Sequence, residues 1–130
     1  MSRVLLEAAA RGELDKVQQQ LAKGVDVNCV HKPTGRTPLI EATIQGHLDV
    51  AKILIEGGAN VNHFDTAVNF SPLLWACQRN QEGMVDLLLS ASADVNGRSR
   101  DIGWSPLLVA AQNGSGGRDT SRVRVASVEP

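Results

Sequence analysis

Apolar residues return along this chain in helical steps that glycine interrupts. Between residues 37 and 58, Leu39, Ala42 and Thr43 share one helical face, and Leu48, Ala51, Leu54 and Ile55 share another. Gly46 separates the two groups and Gly57-Gly58 follows the second. Side chains three and four positions apart lie on one side of a helix, so this spacing predicts two short helices, each with a stripe to bury. Thr37 is placed to accept backbone N–H groups where the first helix starts, and Pro38 supplies the φ of its first turn. Gly46 permits a tight turn and Gly58 a left-handed stop, because neither carries a Cβ. Val61 and Asn62 then lead into an irregular stretch that ends at Ser71-Pro72.

The same unit recurs. Thr37, Ser71 and Ser105, each followed by proline, stand 34 residues apart, as do Ala8, Ala42, Ala76 and Ala110. Leu5, Leu39, Leu73 and Leu107 keep that interval, and so do Leu21, Ile55 and Leu89. Asp26-Val27-Asn28, Asn60-Val61-Asn62 and Asp94-Val95-Asn96 fall in step with them. Several independent columns in one register define a tandem array. A single helix pair cannot bury its own stripes, so neighbouring pairs must stack. The predicted fold is therefore all-α, a solenoid of stacked helix-turn-helix units joined by hairpin loops. Its repeats run at about 2–35, 36–69 and 70–103, with a partial fourth at 104–114.

The ends and the third unit depart from this pattern. Arg3-Val4 replaces the Thr-Pro pair in the first repeat, with Ser2 as a candidate cap, and Gln18-Gln19-Gln20 suits an N-terminal capping unit. In the third, Asn80 stands where Gly12 and Gly46 turn, Gly83 lies inside the second helix, and Ser92 replaces the stop glycines Gly24 and Gly58. Residues 115–130 carry adjacent glycines and no helical stripe, and read as a flexible tail. Leu107, Leu108, Val109 and Ala110 are then left on a helix without its partner. The expectation is a truncated or alternative form of a longer protein, or an uncapped end that docks another chain.

Composition narrows the function classes. The 130 residues are 42% hydrophobic and 21% charged with net charge −1, which suits one globular domain and lacks the basic excess of a nucleic-acid binder. Two Trp, two Phe and no Tyr leave the core to Leu, Ile, Val and Ala. Cys29 and Cys77 form neither a disulfide framework nor a zinc pattern, so the cytoplasm or nucleus is the default location. No apolar run approaches the roughly 20 residues a bilayer requires, so no membrane partner is expected. A P-loop lysine, a dinucleotide fingerprint and HExxH are all missing. Gly114–Gly117 follows no strand, Ser105 has a helix to cap, and His31, His47 and His63 read as scattered, exposed loop residues. No enzyme, cofactor or metal site is expected.

A period of about 34 also belongs to tetratricopeptide repeats, but the Trp, Gly and Tyr of that family are missing. Gly35-Arg36-Thr37-Pro38-Leu39 and Gly58-Ala59-Asn60-Val61-Asn62 instead resemble the ankyrin repeat, a resemblance extending over about residues 3–114. Ankyrin units usually have roughly 33 residues, so one extra is expected in each hairpin, around Val30–Thr34, Val68 and Ile102. The usual histidine after Thr-Pro-Leu is replaced by Ile40, Leu74 and Leu108, so its link to the neighbouring loops is expected to be missing.

The resemblance implies a non-enzymatic protein–protein interaction module, a scaffold or adaptor, that binds through hairpin tips and the concave face of the first helices. Carried over by position, the tips are Arg36, Phe70 and Trp104, and Val30, Phe64 and Arg98 follow in the hairpins. The exposed first-helix pairs are Ala10-Arg11, Ile44-Gln45, Gln78-Arg79 and Gln112-Asn113. Trp75 falls on a first helix, where packing is its expected role. Arg11, Arg36, Arg79 and Arg98 would suit an acidic partner. Two alternatives are a stoichiometric inhibitor of an enzyme such as a kinase, and a substrate-targeting fragment of a larger ubiquitin-ligase adaptor or signalling protein. The resemblance also makes Asn28, Asn62 and Asn96 candidates for hydroxylation, against a competing role in hairpin hydrogen bonding.

Overall fold

The computed structural model describes residues 2–94. They form six helices, α1 (Ser2–Arg11), α2 (Leu14–Ala22), α3 (Pro38–Gln45), α4 (Leu48–Glu56), α5 (Pro72–Gln78) and α6 (Glu82–Ser90), and no strand. These are three helix pairs in one register. α1 packs on α3 and α3 on α5, while α2 packs on α4 and α4 on α6. The fold is an all-α repeat solenoid. The expected fourth repeat at 104–114 and the tail at 115–130 lie outside the described residues.

Local chemistry explains the starts of α2 to α6. Thr37 and Ser71 sit in extended backbone before a proline, and their hydroxyls accept from the Ile40 and Leu74 N–H groups, both at 3.3 Å. The second helices use no side-chain cap. Instead the N–H groups of Glu13, His47 and Gln81 return to the carbonyls of Ala8, Ala42 and Ala76, at 2.9, 2.9 and 3.0 Å. The alanine column is thus both a turn acceptor and a small residue in the core between packed helices.

That core is aliphatic. Leu5, Leu39 and Leu73 from the first helices meet Val17, Val50, Ala51, Leu54, Val85 and Leu88 from the second. No aromatic ring is fully buried among the described residues; Phe64 and Phe70 pack against the core from the hairpins.

Each repeat passes through left-handed backbone at fixed positions. In the first two repeats these are Gly12 and Gly46 between the helices and Gly24 and Gly58 after the second helix, with Gly35 in the first hairpin. Asn69 takes the Gly35 position at the end of the second repeat, and Asn80 and Ser92 take the other two in the third, at φ of 59°, 58° and 68°. Asn80 and Ser92 follow from the glycine columns, and Asn69 is a third case. Left-handed backbone costs an L-residue roughly 1 kcal/mol or more, and serine tolerates it less well than asparagine. Ser92→Gly is therefore expected to raise stability by about 0.5–1 kcal/mol, part of the gain being offset by the greater freedom of unfolded glycine. Thermal melting checks the sign, and a lower Tm would contradict the register.

Candidate functional site

The C-terminal turns of α3 and α5 border a hollow of about 480 Å³ lined by Ile44, Gln45, Gln78, Arg79, Asn80 and Gln81. The repeat interval brings the two sequence-read pairs, 44–45 and 78–79, side by side on the first-helix face. Gln45, Gln78 and Arg79 are exposed there. Ile44 corrects the expectation: it is only 8% exposed. An isoleucine beside packed first helices gains more from burial than from facing water, so it belongs to the floor and not to the exposed pair. The rim is chemically uniform. Carboxamides donate and accept, and Arg79 adds a fixed positive fork, a set suited to peptide backbone and carboxylate groups.

The hairpin residues form a second constellation, centred on an acid that sequence reading missed. Asp65 is fully buried. Its Oδ1 accepts from the Val68 and Phe70 N–H groups, each at 3.1 Å, and its Oδ2 accepts from Trp75 Nε1 at 2.9 Å. Arg36 Nε lies 3.8 Å from the same Oδ2 and has no hydrogen bond of its own. The Arg36 guanidinium carbon sits 5.2 Å from the Trp75 ring centroid, and Phe70 meets that ring edge-on at 5.3 Å and 66°. Arg36 and Phe70 are therefore half-buried members of an internal cluster, not free tips. Phe64 is also half-buried against the core, and Trp75 packs as expected while its indole N–H is satisfied. A half-buried indole needs an acceptor, and that need is the one sequence signal that pointed to Asp65.

Glu41 lies on α3 at the register position of Glu7 and Trp75. Burial pushes its carboxyl above the usual range, against the opposing pull of Arg36 and His31. A carboxyl with a raised folded pKa binds its proton more readily folded than unfolded, so its contribution is complete below the unfolded pKa and is lost as pH rises through the folded one. Stability is thus expected to increase from neutral toward mildly acid pH through this group, and Glu41→Gln to flatten that slope. Urea midpoints at several pH values test this; an unchanged slope would remove Glu41 as its source. Burial likewise pushes the Cys29 thiol up, helped by Asp26, which disfavours the reactive thiolate.

Among known families, a model described as ankyrin repeats (three copies) matches residues 5–99. That match covers most of the chain and all three stacked helix pairs. The chain belongs to the ankyrin-repeat family. A search of the curated proteins finds no match. Ankyrin repeats are generally protein–protein interaction modules. No helix among the described residues is long and apolar enough to cross a membrane.

In this ankyrin-repeat chain the loops are tied together along the stack. Asn28 Oδ1 accepts from the Asn60 N–H at 2.7 Å, and Asn28 Nδ2 donates to the Gly58 carbonyl at 3.3 Å. One repeat on, Asn62 Oδ1 accepts from the Asp94 N–H at 2.8 Å. Two histidines also differ from their reading as exposed loop residues. His47 Nε2 donates to the Ala10 carbonyl at 3.1 Å, and His63 Nε2 to the Gly35 carbonyl at 2.9 Å, so both are half-buried ties between successive repeats. His63 thus ties two hairpins from a position outside the column of Ile40 and Leu74. His31 is exposed. Asn96, Arg98, Trp104 and Gln112 lie outside the described residues.

Proposed function

We propose that this chain is a non-enzymatic scaffold or adaptor that binds another protein on its first-helix face. The reading is carried by one observation: Gln45, Gln78 and Arg79, selected by register, rim a single hollow with Ile44 beneath them. The stacked loops hold that rim in place before binding, so less ordering entropy is lost on association. The half-buried hairpin residues Arg36, Phe64 and Phe70, and by register Arg98, Trp104 and Gln112, complete the proposed set. The partner is a protein, not nucleic acid or membrane, met in the cytoplasm or nucleus.

A photo-crosslinking residue placed at Gln45, compared with one at Lys23, tests this directly in cells. The expected outcome is a protein adduct formed at position 45 and not at 23, weakened about tenfold by Arg79→Glu, as expected for an arginine anchor. Equal labelling at both positions, or indifference to Arg79→Glu, would overturn the site. An adduct with an enzyme inhibited at equal stoichiometry would favour the inhibitor reading, and one with ubiquitin-ligase subunits the targeting reading. Asn28, Asn62 and Asn96 remain the proposed hydroxylation positions, and intact mass showing an added oxygen checks them.

A further inference from the structure

A second hollow, of about 420 Å³, opens between α1 and the first hairpin, lined by Arg3, Leu6, Val30, His31 and Lys32. Its polar lining residues are all basic, and its apolar ones are a buried leucine and a valine left 42% exposed. Lys32 is exposed and makes no ion pair among the described residues. Among the described residues Arg3 has only an exposed pair with Glu7 on its own helix, at 3.4 Å, of a kind that adds little and exchanges readily. Glu41 is close enough to act electrostatically on His31, but neither it nor Glu7 lines the hollow.

The hairpin wall that carries His31 and Lys32 is braced. The His31 N–H donates to the Arg36 carbonyl at 2.9 Å, while the His31 carbonyl accepts from Gly35 at 2.6 Å and from Thr34 at 3.1 Å. His31 Nδ1 also hydrogen-bonds the Thr34 hydroxyl at 3.0 Å. A backbone held by a closed hairpin loses little freedom on binding, and an exposed valine on it gains from being covered.

We propose that this hollow docks an acidic segment of a partner protein, with an apolar side chain seated on Leu6 and Val30 and flanking carboxylates facing Lys32, Arg3 and His31. The inference rests on the protein-binding reading and concerns a different hollow from the one lined by Gln45, Gln78 and Arg79. Charge complementarity selects the occupant. A nucleic acid would find no Phe, Tyr or Trp ring in this lining to stack on, and a lipid surface would need a broader basic face than three side chains.

The test is a titration of the isotope-labelled full chain with the capped peptide Glu-Glu-Leu-Glu-Glu, followed by amide chemical shifts. Saturable shifts are expected at Leu6, Val30, His31 and Lys32, weakening as salt rises. Lys32→Glu, at an exposed hairpin tip, is expected to weaken binding at least about tenfold, and replacing the peptide leucine by serine to weaken it also. Equal binding by a Lys-Lys-Leu-Lys-Lys peptide, or no effect of Lys32→Glu, would overturn the proposal. So would saturation of these amides by an oligonucleotide or anionic vesicles but not by the peptide. Shifts confined to Gln45, Gln78 and Arg79 would overturn it while leaving the first-helix site standing.

Discussion

Asp65→Ala is expected to cost about 3–5 kcal/mol, a large share of the stability of a chain this size. One substitution strips the acceptor from two backbone N–H groups and from the Trp75 indole, and the counter-charge from the Arg36 guanidinium. Each donor is then left at least partly shielded from water without a partner, which is costlier than losing an exposed hydrogen bond. The arginine adds a charge whose counter-charge has gone. Asp65→Asn is expected to fall between wild type and alanine, because its amide keeps one acceptor and turns two hydrogens toward existing donors. Urea unfolding of both variants measures the effect. A loss below about 1 kcal/mol for the alanine variant would show that the hairpin is not organised by this carboxylate.

Gly35→Ala is expected to be nearly as damaging, by about 2–4 kcal/mol, because strain and a clash combine at one position. Gly35 has φ of 69°, and a Cβ placed on it would lie 2.6 Å from the Thr66 hydroxyl and 2.7 Å from the Thr66 backbone nitrogen. The second contact cannot be relieved by turning a side chain. Thr66 and Ala67 both donate to the Thr34 carbonyl, at 2.9 and 3.1 Å, so relief must pull successive hairpins apart. Hydrogen exchange should show the Thr66 and Ala67 amides losing protection before the helices do. A variant with an unchanged urea midpoint would mean that the hairpins do not approach this closely.

These two positions differ in how readable they are. The helices are legible because their signals are local: a hydroxyl before a proline, an apolar residue every three or four positions, a glycine at each stop. Repetition adds confidence without distance, which is why the strained backbone at Asn80 and Ser92 follows from comparing columns. Asp65 is not legible in the same way. It sits in an irregular loop of mixed polar and apolar residues, and its burial is created by Arg36 from the start of the same repeat and Trp75 ten residues on. Ile44 fails for a related reason: register says which face it shares, but only the neighbouring helix decides whether that position is covered. His47 and His63 bond to backbone carbonyls 37 and 28 residues away, a partnership that leaves no mark on side-chain pattern. Register therefore finds the candidate face, and contacts between repeats decide which of its residues reach a partner.

The most direct measurement of stacking in a single register is amide hydrogen exchange at Asn60 and Asp94. Both lie in exposed loops, where a free amide exchanges quickly, yet each donates to an asparagine side chain of the preceding repeat. Both amides are expected to be protected, with Asn28→Ala releasing Asn60 and leaving Asp94 slow. Free-loop exchange at both positions in the unaltered chain would contradict the stacked solenoid.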